Sequence, residues 1–254
     1  YRRGSGGELM AIKEEKISNS VIYAFVRIFE QKEHAECFLR GDLRFGRIRA
    51  YKAYVDKNGE QRGDPFEGIV SWLQPNMVNI KYGDLVIPSE DIAAPIAIHS
   101  NEVLNKFALC LYAIHSGNTE TITQETLDDF KRSLLIHEKS FGLGSYCVLI
   151  TNAREFQNRV YSSLDGKING GMARVNYFDE GLHFPRLPEK YDGMHKRATF
   201  SHQNEYRVIA DFEIDDDYFT LSVGDLSDIG LITTPKEFNQ KLEVELPLLD
   251  EVGQ

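Results

Sequence analysis

The run Phe107-Ala108-Leu109-Cys110-Leu111-Tyr112-Ala113-Ile114 contains no charge, no glycine and no proline. At eight residues it is far shorter than the roughly 18 needed to cross a membrane. Because its apolar residues do not alternate with polar ones, a strand made from it presents hydrophobic side chains to both sides. A strand buried on both faces obliges the rest of the chain to pack in layers above and below it. The expected fold is therefore built around a central sheet with cover on each face.

The flanking segments supply that cover. Val21–Phe29 is β-branched and aromatic and predicts a strand, with Arg27 as its one interior charge. Residues 30–39 predict a short helix with Ala35, Phe38 and Leu39 on its apolar face, stopped by Gly41. Leu43-Arg44-Phe45 begins a second strand. Residues 56–68, with Arg62-Gly63-Asp64-Pro65-Phe66-Glu67-Gly68 at their end, read as a loop, and 69–98 as short strands broken by prolines. Thr123–Glu138 has the strongest helical periodicity, with Thr123 as its cap. A strand follows at Ser145–Thr151, then a helix at Ala153–Leu164 capped by Asn152. Ala173–Tyr177, Arg207–Phe212 and Tyr218–Val223 predict strands, His183–Arg197 a loop, and Pro235–Lys241 a last helix. The expected fold class is α+β, a mixed sheet of short strands with a few peripheral helices. Residues 10–254 read as one domain behind a nine-residue expression linker.

Hydrophobic residues make up 42% and charged residues 27%, ordinary values for a globular chain. A net charge of −10 works against non-specific coating of a phosphate backbone. It leaves room for a local basic cleft, and Arg40, Arg44, Arg47, Arg49 and Lys52 are dense enough to form one or, equally, a solvated strand and loop. Cys37, Cys110 and Cys147 are spread along the chain without a C-x-x-C or Cys/His cluster, so no metal site is expected. They fit buried thiols in a reducing, cytoplasmic setting. There is no phosphate-binding glycine loop.

The chemistry-bearing feature is Phe200-Ser201-His202-Gln203-Asn204-Glu205-Tyr206-Arg207. If the strand begins here, Gln203 and Glu205 point to the same face. They then present an amide and a carboxylate side by side, a pairing that can stabilise a developing cation and steer a nucleophile. The bland alternative is a salt bridge from Glu205 to Arg207. Asp64 reads as a turn cap, and Glu67 stays open between a substrate contact and a loop anchor.

In order along the chain, the strand with interior Arg27, the R-G-D-P-F-E-G loop and the late F-x-x-Q-x-E-Y-R resemble two groups. One is a group of uncharacterised bacterial proteins with a D-P-F-E loop and a C-terminal E-Y-R strand. The other is the ADP-ribosyltransferases. The resemblance implies NAD as substrate, with Arg27 on its phosphates and Arg44, Tyr112 and Phe200 as further NAD-binding positions. It implies Glu205 at the nicotinamide ribose, where it would stabilise an oxocarbenium-like transition state, and Gln203 orienting the acceptor. Glu67 and Arg62 would meet the substrate. The acceptor would be a nucleic-acid base, RNA included, or a protein side chain. A role as a toxin in bacterial defence, held in check by an antitoxin, is a further implication. The family's Ser-Thr-Ser landmark is missing; Phe107–Ile114 occupies its place and offers only Tyr112. An NAD glycohydrolase, or an interaction module with no enzymatic activity, are the competing expectations.

Overall fold

The computed structural model describes residues 20–54, 63–164 and 168–246. The chain begins with β1 (Ile22–Phe29), α1 (Lys32–Leu39), β2 (Asp42–Arg47) and α2 (Ile48–Lys52). A middle section follows: β3 (Ile69–Leu73), the hairpin β4 (Ile80–Tyr82) and β5 (Leu85–Ile87), β6 (Ile96–His99) and α3 (Asn101–Asn105). Then come β7 (Phe107–His115), α4 (Leu127–Ser133), β8 (Tyr146–Ile150), α5 (Ala153–Leu164), β9 (Ile168–Arg174) and β10 (Asn176–Phe178). The last elements are β11 (His195–Arg197), β12 (Glu205–Ala210), β13 (Tyr218–Ser222), β14 (Gly230–Thr233) and α6 (Pro235–Lys241).

As its sequence requires, β7 is the centre of an eight-stranded sheet. β12 runs along one edge of it, from Glu205 opposite Tyr112 to Ala210 opposite Phe107, with β9 beyond. The other edge is shared. β2 pairs with the start of β7 at Phe107 and Ala108, and β1 pairs with its end, from Tyr112 to His115. β13 extends the sheet past β2; β8 and then β14 extend it past β1. Leu109–Leu111 thus lies between β1 and β2, where the described pairings put no strand on that edge. The sheet is antiparallel at every pairing. This corrects the expected mixed sheet: the parallel pairing described is confined to the small β10–β11 ribbon.

Both faces are covered. On one, Leu109, Leu111 and Ala113 pack with Phe25 and Val148 against Phe38 of α1 and Phe156 and Val160 of α5. The other face is divided. Val26, Tyr112 and Ile114 meet Phe130 and Phe238 from α4 and α6. Ala108 and Ile209 meet Ile48, Val103 and Met194. α1 ends as its glycine predicts: Gly41 has φ +93° and its N–H donates to Phe38 O at 2.9 Å. A Cβ at that position would sit 1.9 Å from Gly224 O, so the close approach to the β13–β14 connection also needs glycine.

The Thr123–Glu138 helix is the clearest departure. Only Leu127–Ser133 is α-helical, and Thr126 rather than Thr123 stands at its N-cap. The helical pattern breaks because Leu134 and Ile136 turn into the core. Asn239 holds both the N–H and the C=O of Ile136 at 2.8 Å, and Tyr112 Oη donates to Leu135 O at 3.2 Å. Tertiary partners thus take main-chain groups that a longer helix would need. α5, by contrast, spans the expected residues, with Asn152 Oδ1 accepting from Glu155 N at 3.0 Å. β11 falls within the segment expected to be loop, and Val175 separates β9 from β10 where the sequence predicts one strand.

Candidate functional site

The divided face of the sheet holds a buried ionic cluster drawn from four segments. Arg207 of β12 projects beneath the loop that carries Glu67, and each residue is only 1% exposed. The guanidinium grips Glu67 with two parallel bonds, Nη1 to Oε2 at 2.8 Å and Nη2 to Oε1 at 2.7 Å, and Nη1 also donates to Gly193 O at 2.7 Å. Its Nε donates to Glu205 Oε1. Lys196 Nζ of β11 lies 3.0 Å from Glu205 Oε2, 3.4 Å from Glu67 Oε1 and 2.7 Å from Gln203 Oε1. Two carboxylates thus meet two cations, each with hydrogen bonds as well as charge, which is what permits ions to be buried at all. Burial opposes the charge on Glu205, but Arg207 and then Lys196 outweigh it and hold the carboxyl well below the usual range. Burial likewise opposes the charge on Lys196, and Glu205 and Glu67 hold its pKa up.

Gln203 and Glu205 do come together, by a different route from the one expected. Gln203 ends a 3₁₀ turn (Ala198–Gln203) and only Glu205 is in the strand. Asn204 between them takes the left-handed conformation, φ +41°, the one positive φ among the described residues other than glycine. Asparagine tolerates it better than most side chains. The kink turns both side chains onto Lys196.

Arg27 lies across β7 from them: Val26 and Glu205 both register with Tyr112, one on each edge. Its Nη1 donates to Cys110 O in the gap between β1 and β2. It is half-buried, and no carboxylate pairs with it among the described residues. Burial raises the Cys110 thiol to about 12, Glu205 adds to this, and Arg207 and Arg27 oppose it. Burial also raises the Tyr51 phenol, whose hydroxyl donates to Ala108 O at 2.9 Å. Arg27, Arg207 and Glu205 each act on both the Cys110 thiol and the Tyr51 phenol.

The remaining positions separate. Tyr112 is buried, its hydroxyl donating to Leu135 O and accepting from His137 N at 3.2 Å and Asn204 Nδ2 at 3.5 Å. Phe200 is buried, its ring 5.0 Å from Lys196 Nζ and 5.2 Å from the Arg197 guanidinium. Arg44 is exposed and stacks on Tyr218 at 4.3 Å, on the side of β2 that pairs with β13, away from the cluster. Arg62 lies outside the described residues. The basic stretch does not converge on one cleft: Arg47 donates to the carbonyls of Asp216, Asn105 and Ile214, while Arg49 pairs with Asp217 at 2.7 Å. Asp64 is the expected turn cap, accepting from Phe66 N at 3.0 Å, and it also meets Arg197 at 3.0 Å. Nothing in the sequence marks Lys196, which stands there as one charge in an apparent loop.

His195, next to Lys196, is buried with Nε2 donating to Pro188 O at 3.2 Å and Nδ1 without a partner among the described residues. Burial lowers its pKa to about 4. The unfolded chain, with an ordinary value near 6.5, takes up a proton first as pH falls. Stability is therefore present above about 6.5 and declines as pH drops toward 4, by roughly 3 kcal/mol at about 1.4 kcal/mol per unit. Burial shifts His99, His115 and His202 the same way. His195→Asn is expected to reduce the slope of unfolding free energy between pH 5 and 6.5, measured by urea titration. An unchanged slope would remove His195 from the account.

Among the described residues no group of three or more His, Cys, Asp or Glu could hold a metal ion, and no helix is long and apolar enough to cross a membrane. The chain matches no family model, no curated protein and no solved structure.

Proposed function

We propose that the chain is an NAD-dependent mono-ADP-ribosyltransferase acting on a macromolecular acceptor, a nucleic-acid base or a protein side chain. The observation that carries this is Arg27: a half-buried guanidinium with no carboxylate partner among the described residues, beside the strand that separates it from Gln203 and Glu205. An unneutralised guanidinium that keeps N–H donors free is suited to a pyrophosphate. Glu205 is held ionised, the state required to stabilise a developing oxocarbenium ion. Gln203 stands beside it as the residue that would orient an acceptor.

A toxin role in bacterial defence, with an antitoxin partner and action in the cytoplasm, follows from the same resemblance. An NAD glycohydrolase would use the same residues with water as acceptor. One observation favours the competing reading of an interaction module without enzymatic activity: both oxygens of Glu205 are already engaged by cations.

Incubation with NAD labelled in its ADP-ribose, in a cell lysate divided between nuclease and protease treatment, separates these. Label lost to nuclease is expected for a base acceptor, and label lost to protease for a protein acceptor. Free ADP-ribose alone indicates the glycohydrolase. No nicotinamide release and no thermal stabilisation by NAD would overturn the proposal, because a ligand of the folded state must stabilise it.

A further inference from the structure

The hairpin β4–β5 stands apart from the eight-stranded sheet. Its two strands pair only with each other among the described residues. Every residue from 81 to 88 is exposed. Gly83, φ +60°, is the first residue of a two-residue turn, a place where hairpins favour glycine. Yet this exposed hairpin is apolar: Tyr82, Leu85, Val86 and Ile87 are 83%, 64%, 50% and 37% exposed. Ile80, Tyr82, Leu85 and Ile87 share one face by alternation and register, and none of them is charged. A two-stranded hairpin on its own is marginally stable in water. A free edge with apolar side chains is a ready template for a further strand.

The register decides which main-chain groups are free. Tyr82 faces Leu85, and Ile80 faces Ile87. Across a two-residue turn these are the pairs that exchange N–H···O=C bonds. Lys81 and Val86, the pair between them, therefore turn their N–H and C=O groups outward to the two free edges. A two-fold antiparallel contact along β4 sets Lys81 against a second Lys81, which is unfavourable. The same contact along β5 sets Val86 against a second Val86, exchanging two main-chain bonds, and Leu85 against Ile87. We propose that β5 is the pairing edge for a second copy of this chain, in a two-fold antiparallel contact centred on Val86. Charge and area both favour this occupant. At a net charge of −10, two copies repel at long range and can meet only where net charge is absent. Within residues 80–87 Lys81 and Asp84 cancel, and Glu90 and Asp91 belong to the 3₁₀ turn that follows Pro88. An unlike partner drawn by the chain's acidity would have to be basic, and this edge has no net charge to hold it. The four exposed side chains leave on the order of 500 Å² in water, so two copies bury at most about 1,000 Å², the lower limit for a specific contact. The product is a weak, reversible dimer. The proposal is independent of the transferase reading.

The test is sedimentation velocity of the whole chain from low to high micromolar concentration. The mass is expected to rise from one chain toward two. Added salt is expected to strengthen the dimer, because it screens the repulsion between acidic chains. Val86→Pro removes the outward N–H and spares the bonds within the hairpin, a proline position that edge strands tolerate. It is expected to weaken the dimer by about 10-fold or more, the loss of two main-chain bonds, with an unchanged circular dichroism spectrum. Lys81→Ala, on the opposite edge, is expected to leave the dimer intact. A single chain at every concentration, dissociation by salt, assembly beyond two copies, or an unweakened dimer in folded Val86→Pro would each overturn the proposal. So would capture of an unlike protein through the hairpin while the chain itself stays monomeric.

Discussion

Arg207→Ala is expected to lower the unfolding free energy by about 3–5 kcal/mol, a large share of the 5–15 kcal/mol typical of a folded domain. The variant removes the hydrogen bonds to Glu67, Glu205 and Gly193 and leaves two carboxylates facing only Lys196. The cost comes mainly from the uncompensated charge rather than from the lost attraction. A double variant distinguishes the two. Glu67→Leu combined with Arg207→Met removes one charge of each sign and leaves Glu205 with Lys196, so it is expected to be far less destabilised than either single variant. Urea denaturation of the two singles and the double gives the coupling directly. If the double variant is as unstable as the sum of the singles, the cluster is not a charge-balanced unit.

Glu205→Gln is expected to slow nicotinamide release by about 10²–10³-fold, the effect typical of removing one preorganised electrostatic contact to a transition state, with little change in the KM for NAD. The substitution keeps the shape of the side chain but leaves Lys196 and Arg207 with only Glu67 between them. Activity must therefore be measured at a temperature where the variant is shown by circular dichroism to be folded. Arg27→Gln supplies the contrast: loss of a phosphate contact made in both ground and transition states should raise KM with less effect on kcat. Unchanged release in folded Glu205→Gln would leave this carboxylate with only its structural part in the cluster.

The elements that the sequence defines best are those whose contacts are local or whose burial is total. β7 is legible because an uninterrupted apolar run leaves few alternatives, and α5 because Asn152 and its apolar stripe act within a few residues of each other. The helix at 123–138 misleads because Asn239, 103 residues away, takes the main chain of Ile136. The candidate site is legible as residue types and only partly as geometry. Gln203 and Glu205 do meet, both on Lys196, but through a left-handed Asn204 that strand periodicity does not foresee. Glu67 and Arg207 stand out separately, yet nothing in their local sequence indicates a bond across 140 positions.

That 140-residue separation also bears on how the chain reaches its native state. Glu67 and Lys196 emerge from synthesis before the strand that neutralises them, and until β12 arrives they have every reason to remain in water. Closing so long a loop is entropically slow, and burying either residue early would strand a charge. The cluster therefore makes docking of the middle section against the sheet contingent on β12 having paired with β7. It acts as a late checkpoint in folding, one that a chain truncated before Arg207 could not pass.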